Sequence, residues 1–511
     1  MSLLRSYGYR CTAIAIVVCS SLFFIQSARS QNPANLQVTR SDDEKRSYRS
    51  AMEQADQKIS EEVKARSELV KNLEYLTTEI GARLTGSAQM NRASDWTLQR
   101  FKDYGVDAHL ETTEIAHAWT RGQDTAEITE PISKIVGIRS MGWSKATNGT
   151  VTGSVIYLNV TDAADLAKYK GKLKGAILMT RAPADVPSDT DVPNNAYDAV
   201  IPPSHGIPPA GALGRFRERQ QITQMAADEG AAAVLMDSGK TDALFNMTGG
   251  FRYEPSQLPT AFLTHEDYSL IYRLLQAGQV TMKLNLTGTF TSGPAKTSIT
   301  VAEIKGSEHP DERVIIGAHL DSWDLGQGAL DNGTGAMAVL EAARTLHALG
   351  WKPKRTITFI LFTGEEQGGA GADLFVKNHA AEIPKMDAVL VLDLGTGKAF
   401  TICLENQYET ASLMEEIYRP LQEIFSLDSL DTRFYGSSDH IEFLNKGVPA
   451  YFCLQKPDHY RQAHHSQADT FDKLIPDEIN EGAALLAAWA WNVSEMPQPL
   501  PHHAPREQRG E

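Results

Sequence analysis

The sequence predicts an α/β protein with a mixed, mostly parallel sheet flanked by helices, into which a second, β-rich unit is inserted. Three observations predict this. From Ser298 onward, apolar runs of strand length (301–304, 314–318, 356–361 and 388–392) alternate with helical patterns such as 336–349, the rhythm of βα units feeding a parallel sheet. Between residues 132 and 290 the character changes. Short β-rich runs at 154–159, 176–180 and 232–236 sit among Gly/Pro-rich loops, including Pro202-Pro203 and Pro208-Pro209, with one helical run at 220–229. Finally, residues of metal-ligand type fall just past the strands of the regular region, where α/β sheets gather ligands.

Length and composition agree with this reading. The 511 residues imply roughly two to four domains. At 42% hydrophobic and 22% charged, the chain is that of a globular protein with large cores. A net charge of −15 argues against nucleic acid as a partner. No internal repeat or low-complexity tract is present.

Taken in order, the chain begins with the features of an export signal over residues 1–30. Arg5 and Arg10 precede an apolar stretch at 12–25, and Ser27-Ala28-Arg29-Ser30 offers a cleavage site. The apolar stretch is too short for a membrane span, so the mature chain is expected to be secreted or periplasmic with no stable membrane span. A short pro-segment is allowed from Gln31 to about Asp43. Cys11 and Cys19 leave with the signal. Cys403 and Cys453 stay among apolar neighbours (Ile402, Leu404, Phe452, Leu454), which suit two buried thiols or a pair equally well. Six Asn-x-Ser/Thr sequons occur, and the one at Asn332 abuts a proposed ligand, where a glycan has no room.

Residues 42–80 read as one long helical region with apolar positions at Ile59, Val63, Leu69, Leu73 and Leu76, stopped by Gly81. A turn at 83–87, a helix at 91–104 and an extended run at 105–115 follow. This region carries no chemistry of its own, and neither does the β-rich insertion, which is read as shielding or shaping a site.

The chemistry lies further on. After the strand at 314–318 come His319, Asp321 and, twelve residues beyond His319, Asp331, then Asn332-Gly333-Thr334-Gly335. The strand at 356–361 is followed by Glu365 and Glu366, the strand at 388–392 by Asp393, and His464-His465 stands before Asp469. A single strand-end carboxylate is more often a helix cap. Five ligand-type residues placed this way match the His and carboxylate set that binds zinc.

The strings GAHLDSWDLGQGALDNGTG, TGEEQGGAGA, VLDLG and HHSQADT, with AWTRGQDTAEITEP earlier, resemble the co-catalytic two-zinc exopeptidase family and its carboxypeptidase Q branch. The resemblance covers nearly all of the chain after the signal. It implies a zinc exopeptidase domain in two pieces, 31–131 and 291–497, around a protease-associated (PA) domain at 132–290, with a flexible tail at 498–511. It further implies that His319 and Asp393 bind one zinc and Glu366 and His465 the other. Asp331 bridges both, and Asp321 accepts the free ring N–H of His319. Glu365 is implied as general base towards a water between the two ions. Three carboxylates against two dications leave such a site near charge balance, and cobalt or manganese would substitute for zinc.

One position departs from the pattern. Many relatives outside the branch carry Tyr before the last ligand His, and here it is His464, read as a catalytic hydrogen-bond donor to the oxyanion. Ser438, Asp439 and His440 resemble a loop at the substrate pocket. Trp323 and Asp324 are read as shaping the loop between His319 and Asp331.

The expected activity is hydrolysis of dipeptides or short peptides, of carboxypeptidase or dipeptidase type, by a chain that the resemblance makes a homodimer. An aminopeptidase of the same family is the alternative. Glutaminyl cyclisation on the same fold uses one zinc and does not need the full ligand set. A non-catalytic PA-domain binding protein would be expected to have lost ligands, and here all are kept.

Overall fold

The computed structural model describes residues 40–160, 163–186, 221–436 and 438–506. The export signal at 1–30, the start of the pro-segment and the two Pro-Pro loops lie outside these residues.

Seven strands form the first sheet: β1 (Asp107–Ile115), β2 (Ala295–Ile304), β3 (His309–His319), β4 (Arg355–Phe362), β5 (Met386–Leu392), β6 (Ala399–Cys403) and β7 (Ala450–Gln455). Their order is β1-β2-β4-β3-β5-β7-β6. The four central strands, β4, β3, β5 and β7, run parallel, and β2 and β6 flank them antiparallel. Alternation along β3 supplies two cores. Val314, Ile316 and Ala318 face one side, packed with the helices Asp42–Arg66, Thr334–Ala348 and Pro476–Glu495, and Ile315 faces the other, with Phe375 and Phe443. Both faces are covered, which is why the parallel strands read as continuous apolar runs.

The second sheet has eight strands, in the order Lys134–Val136, Thr125–Glu130, Thr281–Asn285, Val151–Tyr157, Ile177–Met179, Ala233–Asp237, Thr260–Leu263, Ile138–Ser140. The first and last in this order are separated in the chain by Gly137 alone, so the sheet curls back on itself. The helix His265–Ala277 covers it through Tyr268 and Ile271. The sheet takes in Thr125–Glu130, which precedes the boundary expected at residue 132, because that strand pairs with Thr281–Asn285 rather than with the first sheet.

Two further details differ from the sequence reading, and the open question of the two cysteines is resolved. The helical region at 42–80 breaks at Ser67, whose backbone turns extended (φ −59°, ψ 135°) and whose hydroxyl accepts the Leu69 N–H at 3.1 Å. A serine that offers the backbone another partner ends one helix and starts the next. Residues 498–506, expected as a flexible tail, lie against the body. Leu500 is buried, and the His503 N–H donates to the Gly447 carbonyl at 3.1 Å. Cys403 and Cys453 are both free thiols. In the β6–β7 register Ile402 stands opposite Cys453, so pleating sends the two sulfurs into different cores. Among the described residues, no helix is long and apolar enough to cross a membrane.

The centre of β3 should be the least tolerant part of this frame. Ile316→Ala leaves a cavity under the helix Thr334–Ala348 and is expected to lower the unfolding free energy by about 2–5 kcal/mol, read as a fall in the urea midpoint; an unchanged midpoint would contradict the packing described.

Candidate active site

The parallel strands end on one edge of the first sheet, and the candidate ligands gather there. His319 is the last residue of β3, Glu365 and Glu366 lie in the turn after β4, and Asp393 follows β5. Asp331 comes from the loop before the helix Thr334–Ala348, and His464 and His465 follow the short helix Tyr460–Ala463. The turn after β4 is possible because Gly364 has φ +71°, and a Cβ there would stand 2.1 Å from the Tyr253 hydroxyl.

Asp331 joins two half-sites. Its Oδ1 lies 3.5 Å from His319 Nε2, which is itself 3.1 Å from Asp393 Oδ1. Its Oδ2 lies 3.7 Å from His465 Nε2, which is 2.9 Å from Glu366 Oε2. Glu365 stands with the first pair: ligand-type atoms of His319, Glu365 and Asp393 lie within 4.8 Å of one another, as do those of Asp331, His464 and His465.

Several residues that the sequence reading passed over hold this geometry. Arg83 is fully buried and donates to the carbonyls of Leu320 (2.5 Å), Gln327 (3.0 Å) and Gly328 (2.7 Å), fixing the loop from His319 towards Asp331. Asp469 accepts the N–H groups of Leu330 (2.6 Å) and Asp331 (3.2 Å). The Asn332 amide donates to the Leu392 carbonyl at 2.8 Å, beside Asp393, and its oxygen accepts the Gly335 N–H at 2.9 Å. With Asn332 wholly buried, its sequon has no room for a glycan. The Tyr460 hydroxyl reaches Asp331 Oδ1 at 3.5 Å. A signal for Asp469 was present in the string HHSQADT; none pointed to Arg83, which lies some 240 residues from the loop it holds.

Asp321 acts differently from its expected role. The His319 Nδ1 lies 3.0 Å from the Asp321 main-chain carbonyl, and the carboxylate is further away at 3.6 Å. The carboxylate instead accepts the Glu365 N–H (3.3 Å), the Glu366 N–H (3.4 Å) and the Thr85 hydroxyl (3.1 Å), so it pins the turn after β4. Asp324 accepts from Arg121 Nη2 and Nε at 2.7 and 2.8 Å, and the Trp323 ring stands edge-on to His465. Asp439 lies buried beside the first half-site. His440 packs instead on Phe452, with Nε2 3.6 Å from Glu405. Ser438 is buried, and among the described residues its hydroxyl has no hydrogen-bond partner.

The second sheet reaches the same edge. The Met247 N–H donates to the His465 carbonyl at 2.6 Å, and the Phe245 N–H to Gln467 Oε1 at 2.9 Å. His465 has φ +55°, a conformation costly for a residue with a side chain, and these contacts help to hold it.

The electrostatics are those of a site built for cations. Burial works against a charge on His319, but Asp393, Asp321 and Asp331 outweigh it and lift its pKa well above the histidine range. Burial would raise Asp331, yet His319, His464 and His465 hold it below the carboxylate range. Glu365 is pushed well up by burial and, against the pull of His319, by Asp393, Asp439 and Glu366. Burial and the neighbouring Asp331 do the same to Glu366. Burial and the charge of His465 press His464 down to about 3, and its ring stacks on His465 at 3.8 Å. Among the described residues, both Glu366 oxygens and Asp331 Oδ2 are buried without a hydrogen-bond partner. Orphaned carboxylate oxygens beside imidazole nitrogens are what a divalent metal satisfies, so the residues fit one.

Comparison with known proteins identifies the family. Residues 300–490 match the model of peptidase family M28. The chain is 31% identical to carboxypeptidase Q of Mus musculus over 436 residues, 84% of this chain and 86% of that protein. It is 30% identical to carboxypeptidase Q of Homo sapiens over 445 residues, 86% and 88% of the two chains. Its structure resembles the crystal structure of a peptidase M28 precursor from Shewanella amazonensis SB2B, with TM-score 0.73 and 27% identity over 89% of this chain and all of that one. The zinc aminopeptidase BSAP of Bacillus subtilis shares the fold, with TM-score 0.60 and 18% identity over 83% and 93%.

If Asp469 orients the loop that presents Asp331, Asp469→Asn should leave the fold intact and weaken metal retention by about 10- to 100-fold in competition with a chelator; retention equal to wild type would contradict that role.

Proposed function

The chain belongs to peptidase family M28 and is a metallo-exopeptidase, and from that premise we propose a carboxypeptidase or dipeptidase that holds two zinc ions on either side of Asp331. The observation that carries the reading is the divergence of the two Asp331 oxygens, one towards His319 and Asp393, the other towards His465 and Glu366. His319, Asp393 and Asp331 would hold one ion, and Glu366, His465 and Asp331 the other; cobalt or manganese suits the same donors. Zinc in such a site supplies Lewis acidity, acidifying water and polarising a carbonyl.

The chain's own residues move the proton. Glu365 takes it from the attacking water and returns it to the leaving amine; burial, which pushes its pKa up, makes it a stronger base than an exposed carboxylate. His464, kept neutral by burial, donates a hydrogen bond to the developing oxyanion. The curled sheet is read as a PA domain whose loop at 243–247 helps to wall the site and limits it to short peptides. The chain is read as exported on its N-terminal sequence, and as a homodimer on its likeness to the carboxypeptidase Q branch. Aminopeptidase action is the second reading. It is favoured by Asp439, whose buried carboxylate has no hydrogen-bond partner among the described residues and would suit a substrate ammonium.

One dipeptide in three forms, free, N-acetylated and C-amidated, separates the readings when each is assayed with and without chelator. Amidation should abolish cleavage while acetylation is tolerated; loss with both forms means a strict dipeptidase, and loss on acetylation alone means an aminopeptidase. Glu365→Gln should keep its zinc and lose roughly 10²- to 10⁴-fold in kcat. Undiminished turnover by that variant would overturn the mechanism.

A further inference from the structure

Lys240 belongs to the second sheet by sequence and to the active site by position. It follows the strand Ala233–Asp237 through Ser238 and Gly239, and its backbone N–H is caught by the Ser238 hydroxyl at 3.3 Å. From there its side chain crosses to the catalytic unit, where the ammonium donates to the main-chain carbonyl of Arg461 at 2.8 Å. Arg461 lies on the short helix that ends just before His464 and His465.

An ammonium has three N–H donors, and the Arg461 carbonyl is the acceptor found for Lys240 among the described residues. No carboxylate of those residues pairs with it. Its charge is nonetheless set beside the centre. Burial pulls its pKa down to about 8, with Asp331 pulling the other way. Its charge in turn depresses His464 and His465. Other buried cations nearby are committed: Arg83 donates to backbone carbonyls, and Arg121 is locked onto Asp324. A partly buried ammonium with open donors, next to the half-site of His465 and Glu366, is poised to receive an anion.

We propose that Lys240 receives the terminal carboxylate of the peptide and so sets the enzyme's preference for a free C-terminus. The inference rests on the peptidase reading above and names the group that selects its substrate. A terminal carboxylate lies one residue from the scissile carbonyl, so an anchor beside the metal ligands limits cleavage to the last bond. A substrate ammonium at the same place would meet a like charge. An acidic side chain on the last residue offers the same chemistry, and the test separates the two.

The zinc-loaded enzyme, Lys240→Ala and Lys240→Arg would be assayed on a dipeptide and its C-amide, and on peptides ending in Glu or Gln. Zinc content would be measured on each. The expected result is a rise in KM of about 10- to 100-fold for the free dipeptide in Lys240→Ala, with kcat and zinc content held. The amide, which wild type should leave uncut, should stay uncut in Lys240→Ala, and Lys240→Arg should recover much of the loss. Binding of the free amino-acid product by calorimetry should weaken in parallel. If wild type prefers the free acid and Lys240→Ala keeps that preference, this proposal falls and the carboxypeptidase reading stands. If wild type cuts acid and amide alike, both fall. If Lys240→Ala loses only a preference for Glu over Gln, the side chain is the ligand and the proposal is overturned.

Discussion

A carboxylate as deeply buried as Asp331 needs partners, and the structure supplies a different set to each of its oxygens. The divergence of those oxygens constrains what surrounds them. The His319–Asp393 pair must lie on one side and the His465–Glu366 pair on the other, so β3, β5, the turn after β4 and the helix Tyr460–Ala463 all have to end at one edge. A parallel sheet gives that convergence, because its strands share a direction and so deliver their carboxyl ends together. The loop that carries Asp331 is then held from three directions, by the Arg83 guanidinium, the Asp469 carboxylate and the Asn332 amide.

Charge explains why the site has this composition. Asp321, Asp331, Glu365, Glu366, Asp393, Asp439 and Asp469 share one buried region, and burial raises the pKa of several of them. Left without cations such a cluster repels itself. Its members divide by what they face. Asp321 and Asp469 accept backbone N–H groups and set the shape of loops, whereas Glu366 and Asp331 keep oxygens free of hydrogen bonds among the described residues. Only the second kind is disposed towards an ion.

Much of this was legible in the sequence. The apolar strand runs were visible because both faces of the sheet are covered, and three of the candidate ligands were visible because His319, Glu366 and Asp393 stand at or just past the end of such a run. The interactions that were not legible are those between segments far apart in the chain. Arg83 reads as a turn residue until its guanidinium is seen on the carbonyls of the loop ahead of Asp331. Asp321 reads as a partner for the His319 ring, yet one residue presents two acceptors, and the carbonyl takes the ring while the carboxylate holds Glu365 and Glu366. The inserted unit reads as shielding or shaping a site, but the residues by which it does so were hidden. Lys240 and Met247 carry no motif, and they matter because a loop closes over His465 in space. The break at Ser67 was missed because apolar spacing continues across it, while the cap depends on one hydroxyl turning back on the chain.

The most direct test of the account is anomalous diffraction at the zinc edge from crystals of the metal-loaded enzyme. The account predicts two peaks per chain flanking Asp331, one contacted by His319 and Asp393 and the other by His465 and Glu366. A single peak, or a second ion that does not touch Asp331, would contradict it.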